Sequence, residues 1–318
     1  MRIVILDGYS IHSNDLNWDA LRTLGELTVY DRTAPEELVS RMQGAEIVLT
    51  NKCRITREIM DACPQLRYIG ELATGYNNID IAAAKEKGII VTNIPGYSTV
   101  SVVQHVFALL LAAMSHVEEL NQSVHAGDWA ACPDFTYQLS TMAELYGRTL
   151  GIVGFGQIGQ RVAQAALAFG MEVVYTCPHR KPALENEHVR YLPLDELLQA
   201  ADVVTLHCPQ NAETSGLMNA QRLAMMKPGA ILINTARGGV VVADDVAAAL
   251  ESGHLGWYLA DVMEQEPPRG DEKLLTAPRC VLTPHVAWAP KEARLRLMGI
   301  AFENIKGFLD GNAPHRVA

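Results

Sequence analysis

The sequence predicts an α/β protein built as two doubly wound, parallel-sheet domains. Short apolar runs alternate with helix-forming segments in two successive series, and strands that alternate with helices pair into a mainly parallel sheet covered on both faces. The second series opens on an apolar run that ends in three glycines, Gly154, Gly156 and Gly159, followed by a helical segment. The chain has 318 residues, 49% hydrophobic and 19% charged, a globular composition with length for two ordinary cores.

In chain order, the first series reads IVIL after Arg2, LTVY after Glu26, EIVLT from Glu46, LRYIG from Leu66 and GIIVTN from Gly88. Between the last two lies ATGYNNID, Ala73 to Asp80, whose Gly75 and polar neighbours mark a loop at a strand end. Such loops carry ligands in open α/β sheets. From Ser98 to about His125 runs a long helical pattern around VVQHVFALLLAAM, too apolar for a solvated helix and therefore expected to be buried between domains or subunits. AGDWAACPDFTYQLS reads as irregular surface chain. The second series starts at Leu150 and continues with EVVYT from Glu172, DVVTLHCP from Asp202, AILINTARGG from Ala230 and LGWYLADV from Leu255. Lys291 to Gly311 reads as a closing amphipathic helix. The boundaries fall near Ser98 and near Trp288.

The turn RTLGIVGFGQIGQ, Arg148 to Gln160, is a strand, a tight turn and a helix start. Gly154 suits the sharp turn, Gly156 lets the backbone approach a pyrophosphate, and Gly159 lets the helix pack on the strand. The helix N-terminus adds free N–H groups and a partial positive charge. A dinucleotide is the ligand this arrangement suits; the alternative is a purely structural turn.

The formal charge of -10 and pI near 5.5 argue against nucleic acid or an anionic membrane as partner, since both reward clustered Lys and Arg. Six cysteines without C-x-x-C pairs indicate neither a metal site nor a disulfide framework and fit a reducing cytoplasm. The N-terminus carries no signal-peptide pattern, and Val102 to Met114 is too short to span a bilayer.

Reactive side chains gather where three predicted strands end. Arg237 follows AILINTA and precedes Gly238 and Gly239; Glu264 and Glu266 precede Pro267 and Pro268; His285 follows RCVLTP. Hydride transfer to a ketone places negative charge on its oxygen, so a proton donor and a fixed cation should both face it. Histidine suits the first role, and a neighbouring carboxylate favours its charged form. Arginine suits the second, because its planar fork holds a carboxylate and an adjacent carbonyl together. Singly, each residue is as well explained as a surface or capping group.

The chain resembles the D-isomer-specific 2-hydroxyacid dehydrogenase family over essentially its whole length, through ATGYNNID, NIPGYSTVSVVQHVFALLLA, GRTLGIVGFGQIG, TLHCP, INTARGG, LADVMEQEPP and TPHVAWAPKEAR. Ala287-Trp288-Ala289-Pro290 after His285 is most similar to the glycerate dehydrogenase and hydroxypyruvate reductase branch. The resemblance implies Arg237 as the substrate anchor and His285 as the general acid/base, paired with Glu266. It places Thr74, Gly75, Tyr76, Arg237, His285 and Trp288 around a small 2-oxo or 2-hydroxy acid. It implies an NAD(P) cofactor touched by Thr74, Gly154, Gly156, Gln157, Ile158, Gly159, Cys208, Thr235, Ala236 and Asp261. It further implies a discontinuous substrate domain of flavodoxin-like type, residues 1–98 plus 289–318, a nucleotide-binding domain of residues 99–288, a cleft between them, and a homodimer. A sister dehydrogenase for lactate or phosphoglycerate, or a nucleotide-sensing corepressor, are the alternatives.

At the end of the second strand of the nucleotide domain, where the NAD-specific pattern has an acid, stands Cys177, followed by His179, Arg180 and Lys181. The missing carboxylate removes a repulsion and the cations suit a 2′-phosphate, so the sequence favours NADP(H) over NAD(H). The alternative is a solvated loop and ordinary NAD use.

Overall fold

Apolar, β-branched runs bounded by turns favour strands buried on both faces. In the computed structural model, which describes residues 1–12 and 15–318, these runs form two parallel sheets. The chain divides into two compact units, Met1–Ser98 with Trp288–Ala318, and Thr99–Ala287. Trp288, assigned to the end of the second domain from sequence, groups with the first unit.

In the first unit, β1 (Arg2–Ile5), β2 (Glu26–Val29), β3 (Ile47–Thr50), β4 (Tyr68–Glu71) and β5 (Ile90–Thr92) take the parallel order β2-β1-β3-β4-β5. This is the flavodoxin-like order. Successive side chains face opposite sides of a strand, so Val4, Val48, Ile69 and Val91 fill one core while Ile3, Ile5, Ile47 and Leu49 fill the other. The helix Lys291–Leu309 closes the second side with Ala293, Leu297, Ala301 and Ile305, which recur at about one turn and share a face.

In the second unit, β6 (Thr149–Val153), β7 (Glu172–Thr176), β8 (Val189–Tyr191), β9 (Val203–Leu206), β10 (Ala230–Asn234), β11 (Leu255–Ala260) and β12 (Cys280–Leu282) take the parallel order β12-β11-β10-β9-β6-β7-β8. The chain reverses its direction of travel between β6 and β9, and ligands bind beyond the carboxyl ends of strands at such a switch point. The helix Thr99–Ser115 buries Val102, Val106, Leu109 and Leu110 in the same core as Leu150 and Ile152.

Three local expectations change. Strand β8 was not anticipated; only Val189 of its three residues is buried, so no apolar run marks it. The long helix after Ser98 breaks at His116, whose φ of 50° is left-handed, giving Thr99–Ser115 and Val117–Ala126 bent by 54°. The segment after it contains a short helix, Asp128–Ala131, instead of wholly irregular chain. No single helix among the described residues is long and apolar enough to cross a membrane.

Candidate active site and dinucleotide cradle

The glycine turn has the geometry its sequence requires. Gly154 has φ of 99°, and a Cβ there would lie 2.6 Å from the backbone nitrogen of Cys208 beyond β9. A Cβ on Gly159 would lie 2.3 Å from the Gly154 carbonyl oxygen, so glycine is what lets the helix Gln157–Ala168 seat on the turn. Gly156, by contrast, has open space where its Cβ would stand. The first N–H groups of a helix lack intrahelical partners, and here they belong to Gln157 and Ile158 beside that open space. Across the switch point, the half-buried Cys208 has its thiol pKa pushed up by burial.

Past β7, the Cys177 thiol donates to the His179 carbonyl at 3.0 Å. Arg180 pairs with Glu185 and lies over Tyr191. His179 is exposed and Lys181 is half-buried.

Strand β10 ends in Asn234, fully buried, whose side chain accepts from Ala236 N–H at 3.1 Å and donates to the Arg237 carbonyl at 3.0 Å. This clamp was missed from sequence, although a polar residue closing the apolar run AILIN is the signal for it. It fixes the turn Thr235–Arg237. The Thr235 hydroxyl in that turn is buried with no partner among the described residues. An orphaned buried donor and an open glycine cradle are features a bound dinucleotide would complete, and the residues fit one. Arg237 is exposed, bonds its own chain at the Ala236 carbonyl, and meets no carboxylate among the described residues, so its fork is available. Beside it, a Cβ on Gly238 would lie 2.0 Å from the Met263 carbonyl carbon, which is why the 263–264 chain passes so near.

The dyad expected from sequence is formed. His285 Nδ1 stands 2.6 Å from Glu266 Oε2, and Glu266 Oε1 accepts the Met263 N–H at 3.0 Å. A carboxylate accepts only, so Nδ1 carries the proton and Nε2 is the atom left for a substrate. The pair borders a cavity of about 380 Å3 whose other walls include Pro268, Leu275 and Leu282.

His285 has φ of 53°, a left-handed conformation that costs a residue with a Cβ about 1–3 kcal/mol. Asp261, 1% exposed, holds it there: its Oδ1 accepts Val286 N–H at 2.9 Å and the Thr283 hydroxyl at 2.6 Å, and its Oδ2 accepts Ala287 N–H at 2.7 Å. Hydrogen bonds to a charged group contribute about 1.5–3 kcal/mol each, enough to outweigh the strain. Because Thr283 donates to Asp261, its oxygen accepts from His105 Nε2 at 2.8 Å. This clamp is a role of Asp261 additional to the cofactor contact expected of it, and neither Thr283 nor His105 was anticipated.

Arg237, Glu266, His285, Asp261, Thr235, Ala236, Cys208 and the glycine turn thus lie beyond the carboxyl ends of strands of one sheet. Thr74, Gly75, Tyr76 and Trp288 belong to the other unit. There the Thr74 hydroxyl donates to the Ile94 carbonyl at 2.9 Å, and Asn78 Nδ2 donates to Glu71 at 2.8 Å and to the Cys53 carbonyl at 3.1 Å, fixing the loop to β4 and to the chain after β3. Trp288 packs partly on the first unit's core.

Comparison with known proteins agrees with this arrangement. Residues 107–287 match the family described as D-isomer specific 2-hydroxyacid dehydrogenase, NAD binding domain. The chain is 48% identical to a hydroxypyruvate reductase from Blautia hydrogenotrophica over 98% of both chains, and 38% identical to a glycerate dehydrogenase from Methylorubrum extorquens over 92% of both. Its fold is similar to that of D-lactate dehydrogenase from Aquifex aeolicus complexed with NAD and lactic acid, with a TM-score of 0.85 and 30% identity over 100% of this chain and 99% of that one. On motifs, sheet order, site geometry and these likenesses together, the chain belongs to the D-isomer-specific 2-hydroxyacid dehydrogenase family.

Proposed function

We propose that this protein reduces hydroxypyruvate, and also glyoxylate, to D-glycerate and glycolate, and runs in reverse on D-glycerate. As a family member it is an oxidoreductase acting on CH–OH groups. The observation that carries the substrate assignment is the 48% identity, over nearly the whole chain, to a hydroxypyruvate reductase.

A bound nicotinamide supplies the hydride. Arg237 holds the substrate carboxylate and draws electron density toward the carbonyl oxygen, a role that suits a fork meeting no carboxylate among the described residues. As the hydride reaches the carbonyl carbon, the π pair moves to oxygen, and His285 Nε2 gives that oxygen its proton. Glu266 stabilises the imidazolium before transfer and fixes the ring through Nδ1. Backbone N–H groups around Thr74, Gly75 and Tyr76 receive the substrate carboxylate, and Trp288 borders its 3-position. Thr74, Gly154, Gly156, Gln157, Ile158, Gly159, Cys208, Thr235, Ala236 and Asp261 are the residues assigned to the cofactor.

The same reading favours NADP(H) over NAD(H), supported by Cys177 in place of an acid and by His179, Arg180 and Lys181 beside it, of which Arg180 is paired with Glu185. It makes the protein a homodimer, supported by a run of exposed apolar side chains between Trp129 and Tyr146. It assigns residues 1–98 with 289–318 to substrate and 99–288 to cofactor. Six unpaired thiols support a reducing cytoplasm as its compartment.

The deciding experiment is kcat/KM for hydroxypyruvate and glyoxylate with NADPH and with NADH, followed by loss of nicotinamide absorbance. Hydroxypyruvate should exceed pyruvate and 3-phosphohydroxypyruvate by at least about tenfold, the scale set by one well-placed polar contact. Preference for either comparison substrate would reject the assignment.

A further inference from the structure

Beyond β7, Arg180 is not a free cation. Its Nε and Nη2 donate to Glu185 Oε1 and Oε2, both at 2.7 Å, a two-pronged pair in which guanidinium and carboxylate charges offset each other. The Tyr175 hydroxyl donates to Glu185 Oε1 at 2.9 Å and itself accepts the Lys181 N–H at 2.9 Å. Glu185 is therefore anchored to the end of the strand and does not simply follow the arginine. The guanidinium carbon lies 5.5 Å from the Tyr191 ring centre, which limits its other orientations. Hydrogen bonding from Arg180 pulls the Glu185 carboxyl down to about 2, so it is ionised throughout the working range.

We propose that Glu185 is a specificity-determining residue for the cofactor: by pairing with Arg180 it withholds that cation from a ribose 2′-phosphate and leaves His179 and Lys181 to supply the phosphate affinity of this loop. The inference rests on reading the 154–159 turn as a dinucleotide site, because the ribose then lies at the carboxyl end of the next strand, β7. A 2′-phosphate arriving there meets a net-neutral pair in place of a cation, and the carboxylate repels it. Drawing Arg180 away would leave Glu185 with the Tyr175 hydroxyl as its side-chain donor, which opposes the exchange. The acid absent from position 177 is thus present further along the loop, where it acts on the cation and not on the ribose hydroxyls. The sequence motif HRK alone overstates the positive charge on offer.

The test is a double-mutant cycle on binding without substrate: dissociation constants for NADPH and NADH, by nicotinamide fluorescence, for the unaltered protein, Glu185→Gln, Arg180→Gln and the double variant. Glu185→Gln keeps a hydrogen-bonding partner for Arg180 and removes the charge. It should tighten NADPH by about tenfold, which is about 1.4 kcal/mol, and leave NADH within about twofold. The gain should vanish in the double variant and fall steeply with added salt. Arg180→Gln alone leaves the Glu185 carboxylate unneutralised and should weaken NADPH, not tighten it. An unchanged NADPH-to-NADH ratio in Glu185→Gln would overturn the proposal. So would a tightening that survives in the double variant, since Arg180 would then not be the cation that Glu185 withholds. Failure of the unaltered protein to bind either nucleotide would overturn the dinucleotide reading itself, a result distinct from both.

Discussion

Glu71, at the end of β4, is 1% exposed. One carboxyl oxygen accepts from Asn78 at 2.8 Å, and the other has no partner among the described residues. Burial, reinforced by the nearby negative charge of Asp7, pushes its pKa from 4.5 to about 9, against the opposing pull of the Asn78 bond and Lys52. The group is therefore neutral at pH 7 when folded and ionised when unfolded. The folded state binds the extra proton, so its stabilising contribution is complete below about pH 4.5 and is lost as pH rises toward 9, at up to about 1.4 kcal/mol per pH unit. Glu71→Gln removes this titration while keeping an acceptor for Asn78. Thermal melts between pH 5 and 9 should show a flatter profile and a higher Tm at pH 8 for the variant. Parallel profiles would show that Glu71 is not the group responsible.

The turn Thr283–Ala287 is an element whose shape is imposed from outside. His285 sits in a left-handed conformation because Asp261 binds the N–H groups of the two residues after it. Thr283→Val deletes the hydroxyl that links Asp261 to His105 but leaves both backbone bonds. It should lower kcat by about tenfold with Tm nearly unchanged, because one bond that orients the proton donor is lost while the fold keeps its core. His285→Ala should lower kcat by about 10²–10⁴-fold with cofactor affinity within about threefold. Steady-state kinetics and fluorescence titration separate the two, and an undiminished kcat in His285→Ala would remove histidine from the mechanism. The family resemblance made the His285 and Glu266 pairing legible, whereas the residues alone put both past strands of one sheet and left Glu264 as an equal partner for the histidine. The sequence itself made the 154–159 turn legible, since each glycine answers to one close approach or one open space. The Asp261 clamp was not, because its partners are backbone N–H groups that leave no residue signature. Glu185 was hidden for a related reason: its bond to Arg180 depends on how the loop folds back. Strand β8 and the break at His116 depend on packing against neighbours that no local pattern announces.

The molecule as a whole carries a net charge of -10, so two copies associating pay an electrostatic penalty that apolar contact must exceed. Such a surface is present. Trp129, Phe135, Leu139, Met142 and Tyr146 are all exposed, Phe135 by 89% and Tyr146 by 79%. The segment is nevertheless held in a definite shape: Trp129 Nε1 donates to the Phe135 carbonyl at 3.0 Å, the Ser123 and Tyr137 hydroxyls are 2.9 Å apart, and Ala143 N–H donates to the Met114 carbonyl at 3.1 Å. If the protein forms the proposed homodimer, this ordered segment is the surface the dimer should cover. An aromatic side chain buries roughly 150–250 Å2, so covering Phe135 and Tyr146 on each of two protomers is worth roughly 15–25 kcal/mol at about 25 cal/mol per Å2, of which the cost of association and side-chain ordering leaves several kcal/mol. Sedimentation equilibrium at micromolar concentration should therefore find a dimer. Phe135→Asp combined with Tyr146→Asp should convert it to a monomer that melts several degrees lower, since the association free energy no longer adds to stability. A monomer in the unaltered protein, or a dimer that survives both charges, would mean that this surface serves another contact.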